Sequence, residues 1–531
     1  MIDLLVRNGR VADGTGNPLR RANIAIDGGR IVGLGRLEGL EARRTIDADG
    51  RLLCPGFVDP HSHSDMTILS NPTAESTIRQ GVTTEIVGNC GMTLAPVSER
   101  SHSEVSGLLQ HFGYEGEVTW QTFGEHLAFV HALGTSQNLG WLIGHNAVRA
   151  AVGANSEPGD RQLAAMRDYV DEGMRAGALG LSTGLEFRPG TWATTDEIIA
   201  LNKVVGLHGG IYASHVRNRD SQLRASTEEF LRIVRAGGTR GEYSHLNVRH
   251  NSGAAPGAWQ ETVEMLVAAR EEGLEVLADT TPFRDGLGKM AAILPTWLVD
   301  QPPAEVARDL QDPTVRERLK KDCDRYWRFI HRGEWHRVKL LGSPKRPELN
   351  GKDFTEIAAI LGGDEWDAFF DLLADAGENY NDMMMIGRLF TDEHLAEMIS
   401  HPIFSLGVDC WSSRTDGPLA ELVRHPVSYA GHVHYLTHHV GTQGTLSLEE
   451  AIRKMTSMPA AQFGLNDRGL LREGFAADVV VIDLDRLDDV STLEDPVQYV
   501  QGVDYVFVNG VPVVEDGHHT GARPGTQLTA A

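Results

Sequence analysis

Short apolar runs alternate with longer amphipathic stretches through the middle of the chain. The runs are "LLCPGFVDPHSH", "VTTEIVGNCG", "LGWLIGHNAVR", "ALGLSTGLEF", "GIYASHVRN", "RGEYSHLNVR", "LEVLADTTPF" and "IFSLGVDCWSS". Most are followed by residues with helical spacing. Thr194 and Glu197 are spaced as in a capping box, and Ile198, Leu201 and Val205 then fall on one helical face. Val263, Leu266 and Val267 share a face that leaves Glu264 outside. Such strand–helix units in series predict an α/β fold, a (β/α)8 TIM barrel, whose functional side chains come from the C-terminal ends of the strands.

The two ends of the chain have a different rhythm. Residues 1–55 alternate β-rich runs with glycine turns ("DLLVRNGRVADG", "ANIAIDGGRIVGLG"), and residues 466–531 do the same ("ADVVVIDLDRL", "VDYVFVNGVPVVEDG"). The two segments are expected to combine into one small β-sandwich beside a barrel over 56–465. Between the seventh and eighth strands, about 285–400 is too long for a structureless connection and reads as an inserted subdomain beside the barrel mouth.

Composition narrows the function. The 531 residues are 41% apolar and 23% charged, as in an ordinary globular protein, and carry a formal net charge of −24. That balance argues against nucleic acid and anionic membrane surfaces as partners and leaves small molecules. No apolar run reaches the ~18 residues of a membrane span, and "MIDLLVRNGRVADG" lacks the basic start and apolar core of a signal peptide. Cys54, Cys90, Cys323 and Cys410 lie far apart with no C-x-x-C pair, which fits a reducing cytoplasm. Large barrels often self-associate, so a homo-oligomer is allowed, but no interface is marked in the sequence.

The chemistry gathers at the strand ends. In "PGFVDPHSHSD", His61 and His63 alternate with Ser62 and so share one face of an extended segment. Strand 2 ends in Cys90, strand 5 in His215, strand 6 in His245 and strand 8 in Asp409. Zinc favours imidazole and thiolate, and a carboxylate beside it can take a proton from water. His61, His63, Cys90, His215, His245 and Asp409 therefore read as a metal cage, with Asp409 also the catalytic group. Taken singly, two members also suit plain structural roles: Cys90 as a small buried apolar residue, Asp409 as a helix cap. His145, in "GHNAVR", is either a substrate-polarising group or a core histidine. His425, His432, His434, His438 and His439 read as helical or loop surface, since no matching ligands flank them.

The whole pattern resembles the amidohydrolase superfamily and, within it, the N-acyl-D-amino-acid deacylase (D-aminoacylase) branch. The resemblance runs almost end to end, through "PGFVDPHSHSD", "GVTTEIVGNCG", "GALGLSTGLEFRPG", "ASHVRN", "YSHLN", "RKMTSMPAAQFGLNDRGLLREGFAADVVVID" and "VFVNGVPVVEDG". It implies that Cys90, His215 and His245 form the tighter zinc site, with His61 and His63 in an adjacent, weaker one that Cys90 can bridge. Asp409 would be general base and then general acid in hydrolysis of a linear, non-peptide amide. A cyclic amide or imide, as in hydantoinases and dihydroorotases, would need the same chemistry; a scaffold without catalysis would hold no stoichiometric zinc.

Where the family often has a lysine after the strand-6 histidine, this chain has Asn247; Phe187 replaces a strand-4 tyrosine, "TPF" with Phe283 replaces "YPY", Cys410 follows Asp409 in place of glycine, and "HPV" replaces "HPR". The lysine and tyrosines resemble groups that hold a substrate α-carboxylate, and each lost charge-assisted bond is worth roughly 1.5 to 3 kcal/mol. Arg188, Arg217, Arg249, Arg284 and Arg414 lie near strand ends as replacements, with Arg217, just beyond His215, the foremost, although each taken singly reads first as a surface or salt-bridged arginine.

Overall fold

The computed structural model describes residues 1–323, 326–343 and 345–529. Each of the eight apolar runs contains a strand: β1 Phe57–Asp59, β2 Val82–Val87, β3 Asn138–Gly144, β4 Gly180–Gly184, β5 Ile211–His215, β6 Arg240–Tyr243, β7 Val276–Thr280 and β8 Phe404–Leu406. They pair in parallel and in sequence order from β1 to β8. β3, β4 and β5 are buried throughout, as continuous apolar runs in a covered parallel sheet should be.

The seam between β1 and β8 closes just beyond the strands. Ser62 bridges Cys410 in parallel register, the Asp409 N–H donates to the His61 carbonyl at 2.9 Å, and the His63 N–H donates to the Cys410 carbonyl at 2.9 Å. β1 stops at Asp59, so His61 and His63 lie past its end. This bridge keeps their alternation.

The chain termini share one connected nine-stranded sheet. Leu52–Pro55 joins its halves, running antiparallel to Val479–Ile482 and pairing in parallel with Arg10–Val11. Ile2–Val11 pairs with Arg20–Asp27 on one side and with Ala42–Asp47 on the other. Leu4, Ile24, Ile46, Leu53, Val481 and Phe507 fill the core of this sheet. The expected terminal β-sandwich over 1–55 and 466–531 does not hold to the last residues. Gln527–Leu528 leaves the terminal sheet and pairs in parallel with Leu139–Gly140 of β3, because β4 pairs with β3 only from Leu142 onward and leaves the start of β3 open.

Between β7 and β8, Asp285–Lys289, Met384–Arg388 and Val338–Leu340 form a small antiparallel sheet. Beside it, Trp327, Phe329, Trp335, Phe354, Phe369 and Phe370 are buried together in an aromatic core. The insertion closes before residue 400. Helix Asp392–Ser400 buries Leu395, Met398 and Ile399 and packs on β8, the strand that follows it.

Three of the five histidines read as surface, His425, His432 and His439, are interior. Helix Pro426–His434 continues into a π-helical segment, Tyr435–Thr442, and His425, His432 and His439 are buried. The helical face that carries them packs inward; His432 stacks on Phe57. Among the described residues no helix is long and apolar enough to cross a membrane.

Candidate metal centre and active site

Three of the candidate residues are held in the left-handed backbone region: Cys90 (φ 52°), His245 (φ 39°) and Asp409 (φ 52°). Such strain in non-glycine residues persists where surrounding structure imposes it, and it concentrates at functional sites. Each lies a few residues past a strand end, where the abrupt turn swings the side chain back over the barrel axis. Gly184, at the end of β4, makes room for the Cys90 loop, since a Cβ there would lie 2.0 Å from the Cys90 carbonyl oxygen.

Cys90 Sγ is the hub. It lies 3.4 Å from His61 Nε2, 3.6 Å from His215 Nδ1 and 3.5 Å from His245 Nε2. Ligands on a tetrahedral zinc ion, with Zn–S about 2.3 Å and Zn–N about 2.0 Å, are about 3.5 Å from one another. The thiolate–imidazole spacings therefore fit a zinc-sized ion without rearrangement. One ligand atom from each of His61, Cys90, His245 and Asp409 falls within 4.8 Å of the others. Asp409 Oδ1 is 3.2 Å from His63 Nε2 and 3.4 Å from His61 Nε2, while Oδ2 is 3.9 Å from His245 Nε2. All six predicted cage residues thus meet at one place.

Charge favours a cation here. Burial opposes ionisation of the Cys90 thiol, but His61 and His245 and the bonds from His215 and His245 outweigh it and hold the thiol well below its ordinary value. Against its own burial, His63 is raised to about 10 by its bonds to Asp409 and Cys90. Burial, with Arg219 alongside, lowers His245 to about 4. A buried thiolate and carboxylate among imidazoles are the donors a divalent metal replaces protons on.

A second layer orients these donors. Asp279, fully buried at the end of β7, places Oδ2 3.2 Å from His61 Nδ1, and its Oδ1 accepts the His245 backbone N–H at 2.9 Å. Glu186 Oε2 lies 2.8 Å from His215 Nε2 and also receives Arg249 at 2.7 Å. Although burial opposes it, Arg249 and His215 hold Glu186 well below its ordinary value. Carboxylates behind ligating histidines fix the tautomer that points a lone pair at the metal. Arg219 donates to His245 Nδ1 at 2.9 Å. Sequence reasoning missed Asp279, Glu186 and Arg219, although Asp279 is a polar residue closing an apolar run in the same way as His215 and Asp409.

The predicted substrate residues divide. The Phe187 ring packs edge-on against His215, centroids 4.6 Å apart, at the site itself. Asn247 turns its amide N–H to the His245 carbonyl and leaves Oδ1 buried and without a hydrogen-bond partner among the described residues. Phe283 packs elsewhere, stacked on His434 at 4.1 Å. His145 sits in a buried network: Nε2 is 2.8 Å from Glu197, which also pairs with Arg149. That network takes the Glu197 carboxylate away from the helix start, so Thr194 accepts from the Glu197 N–H but no reciprocal cap forms.

Arg217 is taken up by structure, donating to Glu229 at 2.9 and 3.0 Å and to the carbonyls of Thr191 and Ala193. Arg249 pairs with Glu186 and Asp220 and lies over the Tyr326 ring. Arg188, Arg284 and Arg414 pair with Asp300, Asp392 and Asp416.

Known proteins resemble the chain throughout. A model of the amidohydrolase family matches residues 44–200 and 352–514. N-acyl-D-aspartate deacylase of Alcaligenes xylosoxydans xylosoxydans is 34% identical over 534 residues, spanning 99% of this chain and 95% of that protein. D-aminoacylase of the same organism is 32% identical over 528 residues, spanning 99% and 97%. The crystal structure of N-acyl-D-glutamate deacylase from Bordetella bronchiseptica, complexed with zinc and a phosphonate mimic of the tetrahedral intermediate, superposes with a TM-score of 0.81 at 27% identity over 100% of both chains.

Proposed function

Since this chain belongs to the amidohydrolase family, we propose that it is a zinc-dependent hydrolase of a linear, non-peptide amide, an N-acyl amine or an N-acyl-D-amino-acid-like compound. The observation that carries this is the convergence of three imidazoles on the Cys90 sulfur at zinc-ligand spacing, with Asp409 beside them. The deacylase relatives and the zinc in the Bordetella enzyme support the same choice.

Cys90, His215 and His245 would hold one zinc tightly, with His61 and His63 offering a weaker second position that shares Cys90. Zinc supplies Lewis acidity, activating water near neutral pH and polarising a carbonyl. Asp409 is the proton carrier. Its side chain is 38% exposed while the histidines around it are buried, so it faces both the centre and incoming substrate. It accepts the proton of the attacking water and returns it to the leaving nitrogen as the C–N bond breaks, giving a carboxylic acid and an amine. Phe187, packed on His215, would narrow the approach to it, and the unpartnered Asn247 Oδ1 supports a reading in which it accepts one substrate N–H. Cys54 and Cys410, buried and outside any disulfide, support a reducing, cytoplasmic setting.

The test is hydrolysis by zinc-loaded protein, followed as amine release from an N-acyl-D-amino acid, its L enantiomer and the matching neutral amide, and as formation of the N-carbamoyl amino acid from a hydantoin. Turnover of one of the linear amides is expected. Ring opening of the hydantoin alone, or inertness with all four, would overturn the assignment.

A further inference from the structure

A row of rings runs through the metal centre. Phe187 packs edge-on against His215 at 4.6 Å between centroids, His215 lies 4.5 Å from His245, His245 4.8 Å from His61, His61 5.6 Å from His63, and His63 6.2 Å from Trp411. The four histidines are buried, whereas the two end rings and Asp409 are partly exposed. A substrate approaching these histidines past Asp409 therefore has Phe187 at one end of the row and Trp411 at the other.

Trp411 is held in place from both sides. The Cys410 carbonyl accepts the His63 N–H at 2.9 Å, and the Ser412 N–H donates to Ser64 Oγ at 2.8 Å, which pins the backbone around the indole to the segment carrying His61 and His63. The indole packs on two apolar cores at once, one through Phe112 at 5.8 Å between centroids, the other containing Cys410, Val423 and Val427. Arg414, the next cation along the chain, is paired with Asp416. This end of the site thus offers a fixed, flat apolar surface beside a carboxylate, which suits an apolar group and repels an anionic one.

Asp409 gives the substrate a direction. Its Oδ1 is 3.2 Å from His63 Nε2 and 3.4 Å from His61 Nε2, and Oδ2 is 3.9 Å from His245 Nε2, so the carboxylate lies toward the Trp411 end. The nitrogen that takes its proton must come within hydrogen-bond reach of it. That puts the leaving amine at the Trp411 end and the acyl group at the Phe187 end.

We infer that Trp411 is a specificity-determining residue that packs on an aryl-sized apolar group carried by the leaving amine, a role that rests on the amide-hydrolase reading with Asp409 as proton carrier.

The experiment compares zinc-loaded full-length protein with Trp411→Ala and Trp411→Phe, with Trp411→Leu standing in where alanine unfolds the chain. The substrates are the N-acetyl derivatives of phenylalanine, alanine and aspartate and N-phenylacetylalanine, in both enantiomers, as acids and as carboxamides. In the form that is hydrolysed, wild type is expected to favour phenylalanine over alanine about 10- to 100-fold in kcat/KM, with aspartate last. Trp411→Ala should shrink that preference to about threefold or less, through KM, and leave the phenylacetyl-over-acetyl ratio within about twofold of wild type. Trp411→Phe should keep most of the preference. Equal losses on every substrate in Trp411→Ala would make the indole a wedge between two cores and overturn the inference. Loss of acyl discrimination in place of amine discrimination would overturn it too. Calorimetric binding of the same compounds, with and without the indole in an Asp409→Asn background, reads the preference without turnover. A wild type that shows no preference for the phenylalanine compound in rate, with none in this binding, sinks the inference. A binding preference that Trp411→Ala removes, with no hydrolysis by any form, would uphold Trp411 as the apolar contact and sink the amide-hydrolase reading alone.

Discussion

Asp279→Asn changes one atom and is expected to turn the wrong face of His61 to the metal. Asp279 Oδ1 accepts the buried His245 N–H at 2.9 Å, and Oδ2 faces His61 Nδ1 at 3.2 Å. An amide replacing the carboxylate keeps its oxygen toward the His245 N–H, because the opposite orientation sets two donors against each other in a fully buried site. Its NH2 then faces His61 Nδ1, which must accept, and the His61 proton moves to Nε2, 3.4 Å from Cys90 Sγ. The His61 lone pair no longer points into the cage. Changes of this kind behind a ligand lower metal affinity about 10- to 100-fold, or about 1.4 to 2.8 kcal/mol. The fold itself should lose little, since the His245 backbone bond survives. The assay is zinc retention by chelated and reloaded protein against a chromophoric chelator, with far-UV circular dichroism as the control for folding. Retention of the second, more weakly held zinc, the one His61 would bind, within about twofold of wild type would refute tautomer control by Asp279.

Other outcomes follow from the same geometry. Asp409→Asn should lower kcat by about a hundred- to ten-thousand-fold while elemental analysis finds the zinc content kept; kcat within tenfold of wild type would remove Asp409 as proton carrier. Burial, with Asp279 nearby, raises Glu242 well above its ordinary value of 4.5. The folded chain therefore binds that proton more tightly than the unfolded one, and this contribution, complete below about pH 4.5, is lost as pH rises through the raised value. Glu242→Gln should accordingly gain melting temperature over wild type increasingly above about pH 5, and a gain independent of pH would refute the assignment. Leu528→Ala, in a tail residue packed with Ile86, Leu142, Leu179 and Phe463, should cost about 2 kcal/mol in urea unfolding; no loss would mean that the tail strand is not part of the core.

Strand order and the meeting of six candidate side chains at one mouth were legible in the sequence because both follow from local rules. A covered parallel strand is a short apolar run, and in a barrel the first polar residues past such runs all arrive at one mouth, as His61, Cys90, His215, His245 and Asp409 do. What the sequence could not order was competition among partners. Arg217, just beyond His215, was the foremost of five arginines that each also suited a salt bridge, and the sequence could not say that Glu229 would be its partner. Glu197 had capping-box spacing, yet His145 and Arg149 from another strand's end outcompete the helix start for its carboxylate. The histidines of 425–439 lacked flanking ligands and so read as surface, whereas helix packing made three of them core. Periodicity fixes which face of an element turns inward, since that depends only on the backbone. Which acid meets which base depends on distances between elements far apart in the chain, and only the closed barrel, its seam at Ser62 and Cys410 and its open edge at β3, determined that Asp279, Glu186 and Arg219 stand behind the metal ligands and that the C-terminal tail returns to the barrel.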